Sequence, residues 1–187
     1  MLEFREVLLA TLEQEMKARK VTLAHAKLND GQELLAFNDF FIGANSHVSA
    51  RYTLKIGNLS ENQSSSGIIV STGAGSTGWL QSVYAGAAGI VEALGGSVIP
   101  PPNHGRLDWS TRQLIYTVRE PFPSQITGTK LVHGTISANN PLIIESQMAT
   151  EGLIFSDGMQ SDFMKFNRGA VATIRTARKC ATLIHPG

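Results

Sequence analysis

Cysteine is almost missing: Cys180 is the single one in 187 residues, so no internal disulfide can form. A lone thiol points to a reducing, cytoplasmic setting. Charge is also scarce, at 17% of the residues, with 16 basic and 15 acidic side chains and a formal net charge of +1. No block of Lys or Arg stands out, which speaks against a nucleic-acid groove or a membrane surface as partner. No apolar run approaches the roughly 20 residues that a membrane helix needs. Internal repeats and low-complexity segments are absent as well. Hydrophobic residues make up 42%. That is ample for a packed core and too much for a disordered chain.

The opening "MLEFREVLLATLEQEM" is acidic and helical in pattern, unlike a secretory leader. Phe4, Leu8, Leu12 and Met16 recur at i, i+4, i+8 and i+12 and form one apolar stripe. Glu13 with Lys17, and Glu15 with Arg19, add pairs at i, i+4. The pattern predicts a helix of about 18 residues that ends in "KARK" and needs a surface to pack on.

From Gly31 onward the period changes to two. "ELLAFNDFFIG", "ARYTLKIG", "SGIIVST", "QLIYTVRE", "KLVHGTISA", "PLIIES", "EGLIFSD", "AVATIRT" and "CATLIHP" read as strands. In "RYTLKIG", Tyr52, Leu54 and Ile56 share one face, and Arg51, Thr53 and Lys55 the other. The turn signal "LNDGQ" marks Asn29 and Asp30 as hairpin residues. One further helix is predicted over residues 77–94, with Leu80, Val83, Ala87, Ile90, Val91 and Leu94 at helical spacing. The fold class is therefore mainly β, with packed antiparallel sheets and few helices.

Between the strand "SGIIVST" and that helix lies "GAGSTG", residues 73–78, which satisfies G-x-G-x-x-G. A dinucleotide-binding βαβ unit also requires an acid about 20 residues on, after a second parallel strand. The next strand candidate, "GSVIP", runs into Pro100, Pro101 and Pro102 and carries no acid. No Lys follows the glycines, so the string is not a P-loop either. Two readings stay open on spacing alone. In one, Ser76 or Thr77 caps a packed helix. In the other, Gly73, Gly75 and Gly78 let a ligand approach the helix start, where Ser76 and Thr77 donate to it.

Three segments in order carry a resemblance to the NAD kinase family. "IIVSTGAGSTGW" resembles that family's "VSTPTGSTAY", and "AFNDFFIG" resembles "ALNEVVI" or "ALNDVVI". "GLIFSDGMQ" followed by "FNRGAVATIRTARKCATLI" resembles its closing "DGQ" and "G..V.I..S...L.LI". The resemblance covers most of the chain from Leu34. It implies the β-rich C-terminal domain of an enzyme that phosphorylates the 2′-hydroxyl of the NAD adenosine ribose. Carried over, Asn38 and Asp39 stand where the family contacts the dinucleotide. Gly75, Ser76, Thr77, Gly78, Trp79 and Ser82 fall in the segment that lines its pockets. Gly78 replaces a small Ala, and Trp79 replaces a Tyr, keeping a flat face but losing the phenol hydroxyl. Gly73 replaces a usual Pro, which predicts a looser loop. Ser66-Gly67 stands where the family commonly has Asp-Gly.

The family's "GGDGT" donor motif does not occur in this sequence. The resemblance then implies residues 1–22 as a junction helix from an N-terminal α/β domain and residues 23–187 as the NAD-binding domain. ATP or polyphosphate and Mg2+ belong to the full enzyme, which is expected to assemble as a homodimer or homotetramer. Alone, the chain is expected to fold, bind NAD and be inactive. The alternatives are a non-catalytic NAD(P)-binding module and a β-rich oligomerisation domain.

Other residues read as structural. Without the resemblance, Asp39 is better explained by a strand-end Asn-Asp turn whose side chains bond their own backbone. Asp157 has the setting of a hairpin turn. His25, His47, His104, His133 and His185 show no metal-ligand spacing, and only His47 follows the Asn-Asp segment closely enough to border a site. No metal site is expected in this chain.

Overall fold

The computed structural model describes residues 4–13, 16–159 and 161–185. Two six-stranded antiparallel sheets pack face to face, as the patterning predicts. The first sheet contains β1 (Lys17–Leu28), β2 (Glu33–Ala36), β4 (Ala50–Ile56), β5 (Leu59–Ser65), β9 (Leu142–Ser146) and β12 (Val171–His185). The second contains β3 (Asp39–Ala44), β6 (Ile68–Ser71), β7 (Leu114–Val118), β8 (His133–Ile136), β10 (Gly152–Ser156) and β11 (Phe163–Lys165). Their orders are β2-β1-β12-β9-β4-β5 and β11-β10-β3-β6-β7-β8. Helix α1 covers Phe4–Leu12, and α2 covers Trp79–Ala93.

Alternation decides which side chains fill the space between the sheets. Tyr52, Leu54, Leu142, Ile144 and Ile174 enter from the first sheet, and Phe40, Ile42, Ile68, Val70, Leu114 and Ile154 from the second. Tyr52 carries a hydroxyl into this core and bonds the Ser65 hydroxyl at 2.7 Å, so burial leaves that oxygen partnered.

Several elements differ from the sequence reading. The first helix ends at Leu12, and residues from Lys17 on form β1, so residues 17–22 belong to the β-rich domain. The 3.6-period stripe was carried one turn too far: Met16 lies in a bend, and "KARK" pairs with the end of β12. Glu15 lies outside the described residues. Helix α1 buries none of its residues, and Phe4 and Leu12 are largely exposed.

"ELLAFNDFFIG" is two strands in different sheets, because the chain turns at Phe37 and Asn38. "AVATIRT" and "CATLIHP" are one strand, β12, with a bulge between the two halves. β1, β5 and β11 were missed, since polar or short segments such as "LSENQSS" become strands only by pairing with neighbours. "GSVIP" forms no strand. "LNDGQ" is the β1–β2 turn, with Gly31 at φ +95° and Asp30 Oδ1 accepting from the Gln32 amide at 3.0 Å.

Helix α2 sits on the outer face of the second sheet. Only Leu80 of its apolar stripe is buried, and Ile90 and Leu94 are exposed. Gly86 and Gly89 lie in this helix with open space around them. Gly86→Ala and Gly89→Ala are each expected to stabilise the protein by about 0.5–1 kcal/mol, by removing backbone freedom from the unfolded chain. A thermal scan should show a rise of about 2–4 °C for each kcal/mol. A fall in either variant would mean that this helix packs differently.

Candidate functional site

Strand register builds the site. In β3, Phe40 and Ile42 point into the core, so Asp39 and Phe41 must point outward. Asp39 pairs with Ser71 of β6, and Phe41 with Phe155 of β10. Directly opposed residues share a face. Asp39, Phe41, Ser71 and Phe155 therefore stand together on the outer face of the second sheet, where α2 begins.

The glycine loop closes over them and is stitched by its own polar groups. Thr72 N donates to Asn38 O at 2.8 Å, and Thr72 Oγ1 donates to Phe37 O at 2.6 Å. Gly75 N donates to Thr72 Oγ1 at 3.2 Å. The buried Ser76 hydroxyl donates to Gly73 O at 2.7 Å and accepts from the Leu107 amide at 3.0 Å. Residues 71–76 are all buried.

This corrects two expectations. Neither Ser76 nor Thr77 caps α2: Gly78 occupies the N-cap, and no side-chain cap bond forms there, because the Ser76 hydroxyl is already used inside the loop. The loop is not loose at Gly73, where a Cβ would stand 2.2 Å from Asp108 O. At Gly75 a Cβ would stand 2.3 Å from Asn38 O and 2.7 Å from Asp39 Oδ1. Gly73 and Gly75 are thus demanded by packing against the protein's own backbone, and neither takes a positive φ.

A cavity of about 340 Å3 opens beside this loop. Of the residues named from the sequence, Asn38, Asp39, Gly75, Thr77, Gly78 and Trp79 line it. Ser76 lies behind the wall. Ser82 is exposed on α2, one turn past the cavity, and does not line it.

The sequence reading missed Phe41 and Phe155, which form an aromatic wall. Phe41 stacks on Trp79 with centroids 5.8 Å apart and an interplanar angle of 10°. Phe155 lies against Phe41 at 5.2 Å. Period two would have found both, as Phe41 is i+2 from Asp39 and Phe155 is i−2 from Asp157. The Trp79 face is therefore partly used within the protein. Arg119, also missed, places its guanidinium 5.5 Å from the Trp79 ring centroid.

Asp157 is both a turn residue and part of the wall. Its φ is +52°, and Oδ1 accepts from the Asn38 amide at 2.6 Å and the Asp39 amide at 3.2 Å. Oδ2 accepts from the Phe37 amide at 2.9 Å. One carboxylate so fixes the bend that carries the chain from β2 to β3 and aims Asp39.

Ser71 Oγ donates a short hydrogen bond to Asp39 Oδ1. Removal from water, aided by the negative Asp157, pushes the Asp39 carboxyl up to about 6, against the lowering effect of the Ser71 bond. At neutral pH it is mostly ionised and able to accept hydrogen bonds from a diol.

An adjoining hollow of about 310 Å3 shares Phe41, Trp79 and Phe155 with the cavity and adds His47 and Arg119. Ser66 lines a third hollow of about 330 Å3 with the same Arg119 and His47. The result is a trough with carboxylates at one end, an aromatic wall along it and a cation at the other. Among the described residues, no helix is long and apolar enough to cross a membrane.

No family model matches the sequence, and no curated protein matches it. Among solved structures, the chain is similar to an NAD kinase from Archaeoglobus fulgidus in complex with ATP, with a TM-score of 0.61 and 18% sequence identity. The match covers 98% of this chain and 61% of that chain. At that identity the likeness is one of fold: the two packed sheets and their helices make an NAD kinase-like domain.

Proposed function

We propose that this chain is the NAD-binding half of an NAD kinase-like enzyme, which transfers a phosphoryl group to the 2′-hydroxyl of the NAD adenosine ribose. The observation that supports this most is the shared cavity of Asp39, the start of α2 and the Phe41–Trp79 pair. A dinucleotide presents ribose diols, a diphosphate and flat rings. Asp39 suits the diol, because two adjacent hydroxyls can donate to one carboxylate. Gly78 and Trp79, at the positive end of the α2 dipole, suit the diphosphate. Phe41, Phe155 and Trp79 suit a ring, and the adjoining hollow lengthens the site beyond a single nucleoside. Asn38 is exposed at the rim and can bond a base or ribose edge.

Phosphoryl transfer also needs a held donor and neutralised charge, which ATP or polyphosphate with Mg2+ supplies in the whole enzyme. The sequence carries no "GGDGT", so on this reading the donor grip and the catalytic carboxylate come from an α/β domain ahead of α1. The exposed Phe4 and Leu12 of α1 suit packing on it. The chain's task is to bind and orient the acceptor, as a homodimer or homotetramer in a cytoplasmic setting. The same missing motif favours a second reading, a non-catalytic NAD- or NADP-binding module.

Calorimetry with NAD and NADP is the first test. Binding of either at a ratio of one per chain is expected; no heat with either would sink both readings. In the second, the chain is incubated with ATP, Mg2+ and NAD. No NADP should form, and appreciable NADP would overturn the assignment of catalysis to another domain.

A further inference from the structure

A cavity of about 520 Å3 lies on the opposite side of the sandwich from the Asp39 trough. It is built by register on the outer face of the first sheet. Ala24 and Ala26 of β1 face the core, so His25 and Lys27 face outward. His25 pairs with Leu35 on one side and Arg175 on the other, and Lys27 pairs with Glu33.

Beside this row β12 bulges. Thr22 pairs with Cys180 and Ala24 with Thr176, so one β1 residue faces three on β12: Ala177, Arg178 and Lys179. The bulge buries Ala177 and brings Arg178 and Lys179 to the cavity that Arg175 already lines. Bulges commonly re-aim side chains in this way.

The charges do not balance. Glu33, the one carboxylate lining the cavity, is taken by Lys27 at 2.6 Å and by His25 at 3.2 Å. Among the described residues, Arg175, Arg178 and Lys179 form no ion pair. Three cations lining one cavity repel one another, and an anion spanning them removes that repulsion. Guanidinium groups match phosphate and carboxylate oxygens two at a time. The cavity's size is that of a small-molecule site.

The geometry points to a second binding site here, for a small polyanion with three or more closely spaced negative charges, held by Arg175, Arg178 and Lys179. Its cations come from "RTARK" of one strand, residues 175–179, and its wall from β1 and β2, which only the folded sheet brings beside them.

Inorganic tripolyphosphate is the probe, titrated calorimetrically into the full chain at low salt. One binding event per chain is expected. Arg178→Ala/Lys179→Ala should weaken it by about 10-fold, the scale of two exposed ionic contacts. Both residues are exposed, so the variant should keep the native circular dichroism. Lys17→Ala/Arg51→Ala removes equal charge elsewhere and should change affinity by less than about two-fold. Competition by citrate would extend the ligand class to polycarboxylates, and its failure would restrict the class to phosphates; the site stands either way. No binding, equal weakening by the Lys17/Arg51 pair, or an oligothymidine that binds more tightly as it lengthens would overturn it.

Discussion

Asp39→Asn is expected to leave the protein folded, raise its melting temperature at neutral pH and weaken NAD binding by about 30-fold or more. The two effects share one cause. The wall of the trough takes the Asp39 carboxylate partly out of water and sets it near Asp157. Its folded-state pKa is raised to about 6 from the ordinary 3.8. A raised carboxyl contributes stability that is fully present below pH 3.8 and is lost as pH rises through about 6. Above that, the ionised group opposes folding. Asparagine has the same shape, carries no charge and can still accept from Ser71, so its thermal advantage should be largest above pH 6 and vanish near 3.8.

Binding runs the other way. A diol donates to the ionised form, and loss of one or two charge-assisted hydrogen bonds is worth about 1.5–3 kcal/mol each. NAD affinity of the unchanged protein should therefore rise with pH through about 6 and level off, whereas the variant should show a flat, weak profile. Calorimetry across pH, paired with thermal scans, reads both. A variant that binds NAD as tightly as the parent would remove Asp39 from the site, whatever its stability.

Gly75→Ala should be the most damaging small substitution near the trough. The added methyl would lie 2.3 Å from Asn38 O and 2.7 Å from Asp39 Oδ1, far inside van der Waals contact. Backbone lies on one side of the clash, so relief requires either the loop or the β2–β3 bend to move. Overpacking of this kind destabilises by about 1–3 kcal/mol, which is about 3–10 °C in a domain of this size. Moving the bend would also displace Asp39, so the surviving folded protein should bind NAD poorly.

Gly73→Ala makes the contrast. Its clash is with Asp108 O, at 2.2 Å, and Asp108 does not line the cavity. Stability should fall comparably while affinity at a temperature well below the melting point holds. If Gly75→Ala keeps both properties, the loop does not rest on the Asn38–Asp39 bend as described.

Much of the site was legible because its parts are local. "AFNDFFIG" and "GAGSTG" each signal a bend or a turn from composition, and Asn38, Asp39, Thr77, Gly78 and Trp79, named from the resemblance, line one cavity. Phe41 and Phe155 went unnamed although period two marks them, because the acids were read one at a time and the strands were not aligned. Arg119 had no local signal: it reaches Trp79 from the end of β7, a neighbour only in the folded sheet. The reason for Gly73 and Gly75 was likewise out of view, since the backbone atoms they avoid belong to residues 108 and 38.

The sequence alone settled the class: alternating apolar residues and frequent turn signals can bury their surface only as packed antiparallel sheets. Tertiary structure decided which strands pair and in what register, because β1 meets β12, β4 meets β9 and β3 meets β10 across long stretches of chain. It also decided which way Asp39 and Arg175 face, since in a strand a shift of one residue in pairing turns every side chain to the other side.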